Sequence, residues 1–328
     1  MEFLNDLVMG KPLWMWGVFI GVVLSLLALD LGVFHRKTRE ITVSESLWMS
    51  AFYIAISLMF GAWVWSSLGE QSGKEYITGF LVEKTLAMDN VFVIALIFTF
   101  LAIPRQYQHR VLFWGVLGVI VLRAIMIGLG ATLVAQYSWV LYVFAAFLIA
   151  TGVKMLVMDH KDPDIANNPV LKFLRRRMRI TNELHKEKFF VRQPEPVSGK
   201  IVTWATPLFV ALILVEIVDV IFAVDSVPAI FAITTDPYIV YTSNIFAILG
   251  LRALYFALAA VIGRFVYLKQ ALALVLVFIG SKVFVADAMG WEKFPASISL
   301  GVTVGLIAGG VLYSLWRTRG GVAKKKTA

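Results

Sequence analysis

The chain has no cysteine among its 328 residues, which excludes disulfides, thiolate metal sites and thiol redox chemistry. Histidine is nearly as scarce. The four present, His35, His109, His160 and His185, all fall in segments read below as cytoplasmic loops, so no imidazole is expected at membrane depth. With neither residue there, and with no nucleophile–base set in the apolar segments, an enzyme is the least favoured class. A glycine-rich phosphate loop is also missing, so nothing points to nucleotide hydrolysis. Charge is sparse: 16% of residues are charged against 59% hydrophobic, with a mean hydropathy of +0.81. A soluble domain built on one core does not have this composition.

What the chain has instead is long apolar runs. About nine reach the length that crosses a hydrocarbon core of roughly 30 Å, at 13–34, 47–68, 77–102, 110–135, 137–158, 202–233, 240–263, 270–290 and 296–316. The expected fold class is an all-α membrane protein. A formal charge of +9 would suggest nucleic acid in a soluble protein, but its distribution is one-sided. With loops assigned alternately to the two faces, one side receives Arg36, Lys37, Arg39, Arg105, Arg110, the basic residues between Lys161 and Lys200, Arg264, Lys269 and those from Arg317 to Lys326. The other receives Lys11, Lys74 and Lys293. By the positive-inside rule the N-terminus faces outward, and the 159–200 loop and the C-terminus are cytoplasmic. The charge is topology, so no nucleic-acid partner is expected. The opening MEFLNDLVMGK has acids where a secretory or transit peptide has basic residues, so no cleaved signal is expected.

Two apolar stretches share one charge pattern. EKTLAMDNVFVIAL aligns with DVIFAVDSVPAIFA, which places Glu83 on Asp219, Asp89 on Asp225 and Asn90 on Ser226. The correspondence continues through Arg123 with Arg252 and Lys154 with Lys282. Each copy holds three spans. Three is odd, so the copies enter the bilayer from opposite faces, giving a 3+3 inverted-topology repeat of the kind common in secondary transporters. The expected organisation is flanking helices in 1–70, repeat one in 71–158, a basic cytoplasmic loop in 159–200, repeat two in 201–291, and a last helix with a basic tail in 292–328. The basic loop, with LKFLRRRMRI, suits anionic lipid headgroups.

Ionised side chains at bilayer depth are costly, and repeated ones suggest an ion site. Residues six apart are separated by roughly 240° on a helix, so neither Glu83 with Asp89 nor Asp219 with Asp225 shares a face. Each pair requires a broken helix or a partner from elsewhere. Pro228 deprives the Val224 carbonyl of its donor, which suggests an unwound segment beside Asp225. Glu216 precedes Asp219 by three residues and shares its face; Phe80 takes its place in the first copy. Together with Asn90, Ser226 and Asn244 these acids form an almost all-oxygen set, which favours hard divalent cations such as Mg²⁺, Ca²⁺ or Mn²⁺. Met88 is the one soft candidate, and as a ligand it would favour Mn²⁺; otherwise it packs. Arg123, Lys154, Arg252 and Lys282 are candidate counter-ions that stand in for the cation when it is absent. Alternatively, acids and bases form a purely structural network. Asp30, ahead of His35-Arg36-Lys37, suits either interfacial pairing or the ion path. Asp159 and Asp287 fall at membrane edges.

EKTLAMDNVFV, VEIVDVIFAVDSVPAIFAITTDP, SNIFAILGLRALYF and ALDLGVFHRK resemble the TerC/Alx family of integral membrane proteins over nearly the whole chain. The resemblance implies an inverted-repeat bundle of about nine helices related to the LysE-type exporters. It also implies manganese efflux, with tellurite resistance as the historical label and Glu83, Asp89, Glu216, Asp219 and Asp225 as metal ligands. Tellurite is an oxyanion, and carboxylates argue against its direct transport. The expectation is a bacterial inner-membrane exporter of divalent metal, Mn²⁺ foremost, exchanging it for protons and needing no bound cofactor. The alternative is a non-transporting scaffold or assembly factor.

Overall fold

The computed structural model describes residues 5–29, 42–157, 169–181, 183–195, 199–259, 267–291 and 294–318, apart from the side chains at 89, 170 and 259. Asp30, His35, Asp159, His160 and the basic tail lie outside the described residues, as does the Asp89 side chain.

A short hairpin, β1 (Leu7–Val8) and β2 (Lys11–Pro12), leads into α1 (Leu13–Leu29). Four helices follow: α2 (Val43–Leu68), α3 (Glu70–Phe100), α4 (Arg105–Gln136) and α5 (Val140–Val157). Their ends are where the sequence has turn chemistry. Thr42 caps α2 by accepting the Glu45 amide at 3.3 Å, Gly69 turns α2 into α3 with a φ of 92°, and Pro104 precedes α4. The basic loop contains α6 (Pro169–Arg177) and an antiparallel hairpin of β3 (Phe190–Pro194) with β4 (Ile201–Ala205). Strand β4 takes up the start of the expected 202–233 span, and α7 (Pro207–Ile233) begins after it with proline in its first turn. The remaining helices are α8 (Pro237–Ile248), α9 (Leu251–Ala259), α10 (Leu268–Ala288) and α11 (Ala296–Thr318).

Six of these, α2, α4, α5, α7, α10 and α11, are long and apolar enough to cross a membrane, and α8 with α9 makes a seventh if the bent pair is one span. The protein is thus an all-helical membrane protein with six to seven candidate spans. Helix α1 has 17 described residues. Helix α3 has ample length at 31 residues, but Glu83, Lys84 and Asp89 interrupt its apolar run.

The unwound segment expected beside Asp225 needs correction. Helix α7 passes through buried Pro228 without ending, and α3 is continuous past Glu83 and Asp89. A proline removes one hydrogen bond, and a helix packed among neighbours tolerates that loss. Asp225 does not need to turn to Asp219, because its partner Thr151 comes from α5. The break lies instead between α8 and α9, which meet at 41°. There Gly250 has a φ of +81°, and a Cβ would stand 2.8 Å from Tyr53 Cβ and Cγ.

Helix α3 packs against α7, α8 and α9, α4 against α7 and α8, and α5 along α10. The last contact is reciprocal. A methyl group on Gly152 of α5 would stand 2.6 Å from the Ala273 carbonyl oxygen and 2.7 Å from Val277; one on Gly280 of α10 would stand 2.5 Å from the Ala145 carbonyl oxygen and 2.8 Å from Ile149. The spacing of Lys154 from Lys282 also separates Gly152 from Gly280, Ala145 from Ala273 and Ile149 from Val277. The faces of α4 fix its inward residues: Val121, Ile125, Leu129 and Leu133 are exposed at four-residue spacing, whereas Val119, Arg123 and Ile127 are buried.

Candidate functional site

Arg123 is 1% exposed and is among the largest fully buried side chains described. A guanidinium has five donors and no acceptor, and its surroundings match that need. Nε donates to Asp219 Oδ2 at 3.3 Å and Nη2 to Asp219 Oδ1 at 3.2 Å, a forked contact. Nη1 donates to Glu83 Oε1, to Ser226 Oγ at 2.7 Å and to Asn244 Oδ1 at 3.1 Å. The two amides complete the ring. Asn244 Nδ2 donates to Glu83 Oε2 at 3.2 Å, and Asn90 Nδ2 to Asp219 Oδ1 at 3.3 Å.

Helices α3, α4, α7 and α8 each contribute to this cluster, and every member is buried. Glu83 and Asp219, aligned with each other in the two copies, hold the arginine between them. With both carboxylates ionised the triad carries one excess negative charge. Burying three charges costs several kcal/mol per ion before mutual attraction offsets it, so a second positive charge is favoured nearby. Lys84 is buried next to Glu83 in sequence, but its Nζ donates to the Ala247 carbonyl at 3.0 Å.

The remaining predicted residues are dispersed. Asp225 is half-buried, and Thr151 Oγ1 donates to its Oδ1 at 3.3 Å. Lys154 is exposed on α5, close enough to Asp225 for its charge to act there. Arg252 is buried with its guanidinium 6.0 Å from the centre of the Phe113 ring, and Lys282 is buried with Nζ donating to Ser299 Oγ at 3.0 Å. Of the four expected counter-ions, Arg123 is the one paired with Glu83 and Asp219 among the bonds described above. Met88 packs against the apolar core around Val91 and Ile94. Glu216 lies against α4 at Gly118, and its Oε2 is buried without a hydrogen-bond partner, as is Asn90 Oδ1. Among the described residues, no three His, Asp or Glu side chains are grouped to hold a metal.

One cavity touches the cluster and a second lies farther along α3. The first, of about 10 Å³, is lined by Asn90, Asp219, Gly115, Val119, Val215 and Val218, room for about one water. The second, of about 370 Å³, is lined by residues including Glu75, Thr78, Phe231, Lys282, Asp287 and Ser299. Its wall at Thr78 is five residues along α3 from Glu83, about 7.5 Å by helical rise. Glu75 accepts from Gln71 Nε2 at 2.7 Å, and Asp287 from the Tyr142 hydroxyl at 3.0 Å. The sequence reading did not find Thr151, Gly118 or Glu75. Glu75 had the only available signal, an acid inside the first turns of a helix that becomes apolar.

No solved structure matches the chain. Among known proteins it is 48% identical over 302 residues to a membrane protein of Rickettsia bellii (strain RML369-C), covering 92% of this chain and 97% of that one. It is 46% identical over 310 residues to a membrane protein of Myxococcus xanthus, with 94% of each chain covered. A third relative, from Escherichia coli (strain K12), is 45% identical over 316 residues, covers 94% of this chain and 95% of its own, and bears the name "Putative membrane-bound redox modulator Alx". Residues 68–321 match the model of the integral membrane protein TerC family. With that match over most of its length, and the Arg123 cluster inside the matched region, the chain belongs to the TerC family of integral membrane proteins.

Proposed function

We propose that this protein is a secondary transporter that exports divalent cations, Mn²⁺ foremost, across a bacterial inner membrane in exchange for protons. One observation carries the reading. A buried positive charge, Arg123, occupies the point where Glu83 and Asp219, one acid from each copy, converge with Asn90, Ser226 and Asn244. The donor set presented to Arg123 is all oxygen, as a hard cation requires. In this reading the guanidinium fills the cation position between cycles, and an incoming ion displaces it. Asp225 and Asp89 then serve as further stations in the two halves.

An inverted 3+3 repeat accounts for the packing of α5 on α10, where each glycine contact has its counterpart in the other helix. It also pairs α3 on α8 with α7 on α4. Helices α1 and α3 complete nine spans with the seven candidates, and the basic loops then place the N-terminus outside. Moving a double charge outward against an inside-negative potential costs roughly 4.6 kcal/mol per 100 mV, so export needs coupling. Carboxylates that take up protons as the metal leaves supply it.

A scaffold role has one observation in its favour: Arg123 finds partners for its donors within the protein, as a purely structural network would arrange. A redox role carried by thiols of this chain is ruled out by its lack of cysteine. Flux decides between transport and scaffold. Purified protein in proteoliposomes is expected to move Mn²⁺ with opposite proton movement, and Asp219→Asn to abolish both. Absence of flux in the parent protein overturns the transport reading, and metal flux without proton movement overturns the coupling.

A further inference from the structure

The two sequence copies differ in a paired way beside the Arg123 cluster. Where the first copy has Phe80 the second has Glu216, and the position facing it on the neighbouring helix changes as well. In register with Arg123 and Arg252, Gly118 on α4 corresponds to Ala247 on α8. Ala247 shares a buried apolar cluster with Phe80, and its carbonyl accepts from Lys84 Nζ, one turn along α3 from Phe80. Gly118 abuts Glu216 so closely that a methyl group on it would collide with Oε1 and Cδ of that side chain and stand 2.6 Å from Oε2. The acid and the missing side chain thus occur together on one side of the pseudo-symmetric bundle, and the aromatic residue and the alanine on the other.

Glu216 has no need of this berth for its own stability. Resting against α4, its Oε2 is buried with no donor, a placement that costs free energy unless something positive arrives. Asn90 Oδ1, 4% exposed, is a second buried acceptor without a donor, and it lines the small cavity with Asp219 and with Gly115 and Val119, neighbours of Gly118 on α4. Two unspent acceptor oxygens flank Asp219 on the side from which α7 begins.

We infer that Gly118 is the positioning residue for Glu216: its missing side chain lets the carboxylate lie against the α4 backbone with one oxygen unspent, as the docking position for a divalent cation before it displaces Arg123. This rests on the transport reading and adds to it where the ion first binds and what gives it room. A larger residue at 118 pushes the carboxylate away from α4. A shorter acid at 216 fits beneath the added methyl group.

Mn²⁺ binding to the purified, detergent-solubilised protein, followed by electron paramagnetic resonance, tests this without flux. Gly118→Ala is expected to raise the Kd roughly tenfold or more, Glu216→Asp to raise it less, and the double variant to bind at least about threefold more tightly than Gly118→Ala. Where Gly118→Ala does not fold, recovery of folded, Mn²⁺-binding protein in the double variant is the same rescue. Parental affinity in Gly118→Ala overturns the inference. So does a double variant no better than Gly118→Ala, or one that also fails to fold, because Gly118 then serves helix packing. A parent protein that binds Mn²⁺ with any of these results leaves the transport reading standing, whereas a parent that binds none removes both.

Discussion

Asp219 meets Arg123 through two parallel bonds and takes a third from Asn90, so its neutralisation removes more than a ligand. In Asp219→Asn an amide nitrogen turns toward the guanidinium or an oxygen is lost from the fork, and breaking one partner of a buried pair costs about 3–5 kcal/mol. The variant is expected to lose thermal stability in detergent along with Mn²⁺ flux, and an unchanged melting profile would show that the fork is not holding the helices. Arg123→Lys separates charge from shape. A lysine keeps the positive charge but cannot fork onto Asp219 while also reaching Glu83, Ser226 and Asn244, so it is a weaker competitor for the cation position. Mn²⁺ is therefore expected to bind Arg123→Lys more tightly than the parent, and weaker binding in a titration would sink the displacement mechanism. At this scale Glu83, Asp219 and Arg123 were legible as charges stranded in apolar runs. Lys154, Arg252 and Lys282 were as visible, but correspondence in sequence does not specify a partner: Lys282 donates to Ser299 on α11. Thr151 and Gly118 gave no signal, since both look like ordinary members of an apolar helix.

Secondary structure followed composition wherever the chain could choose only one conformation. Thr42, Gly69, Pro104 and Asp236 mark helix ends as their chemistry dictates, and the exposed stripe of α4 gives its lipid face. Proline and glycine were harder to rank. Pro228 had the stronger local signal for a break, yet it is buried within continuous α7, while Gly250 interrupts the expected 240–263 span because its positive φ and the Tyr53 ring leave no space for a side chain. Gly250→Ala combines an unfavourable backbone conformation with overpacking, each of order 1–3 kcal/mol, and a clear fall in the unfolding midpoint is expected. Wild-type stability would mean that the bend relaxes. The reciprocal glycines make a sharper test of symmetry between elements. Gly152→Val and Gly280→Val each force a side chain onto a backbone carbonyl of the partner helix, so their destabilisations should be alike. A large effect for one and none for the other would argue that α5 and α10 are not equivalent halves of one interface.

On the scale of the whole molecule, the helical class was readable because a chain with 59% hydrophobic residues has few ways to satisfy its backbone in lipid except by helices. The 159–200 loop was legible as basic and amphipathic, but the packing of its described residues was not, because it comes from contacts distant in sequence. Arg110 at the start of α4 meets Glu187 at 3.4 Å and lies over the Phe189 ring at 5.1 Å, while Leu171 and Leu174 of α6 join the core formed by α3, α4 and α7. These contacts tie the loop to one end of the bundle, the end where α3 finishes, α4 starts and α7 starts. The α4–α5 turn at Ser138 lies at the other end of α4, so the two segments must face opposite sides of the membrane if α4 crosses it. The positive-inside rule predicts which is which: Arg105, Arg110 and the loop are expected in the cytoplasm and Ser138 outside. Because the chain has no cysteine, single introduced thiols report directly. In intact cells an impermeant maleimide is expected to label Ser138→Cys, whose site is exposed, and to leave Glu183→Cys, equally exposed, unlabelled until the membrane is opened. The reverse pattern would invert the protein and turn the cavity at Glu75 and Lys282 toward the cytoplasm. Labelling of both sites from outside would show that α4 does not span, and with it the Arg123 cluster would lose its place at membrane depth.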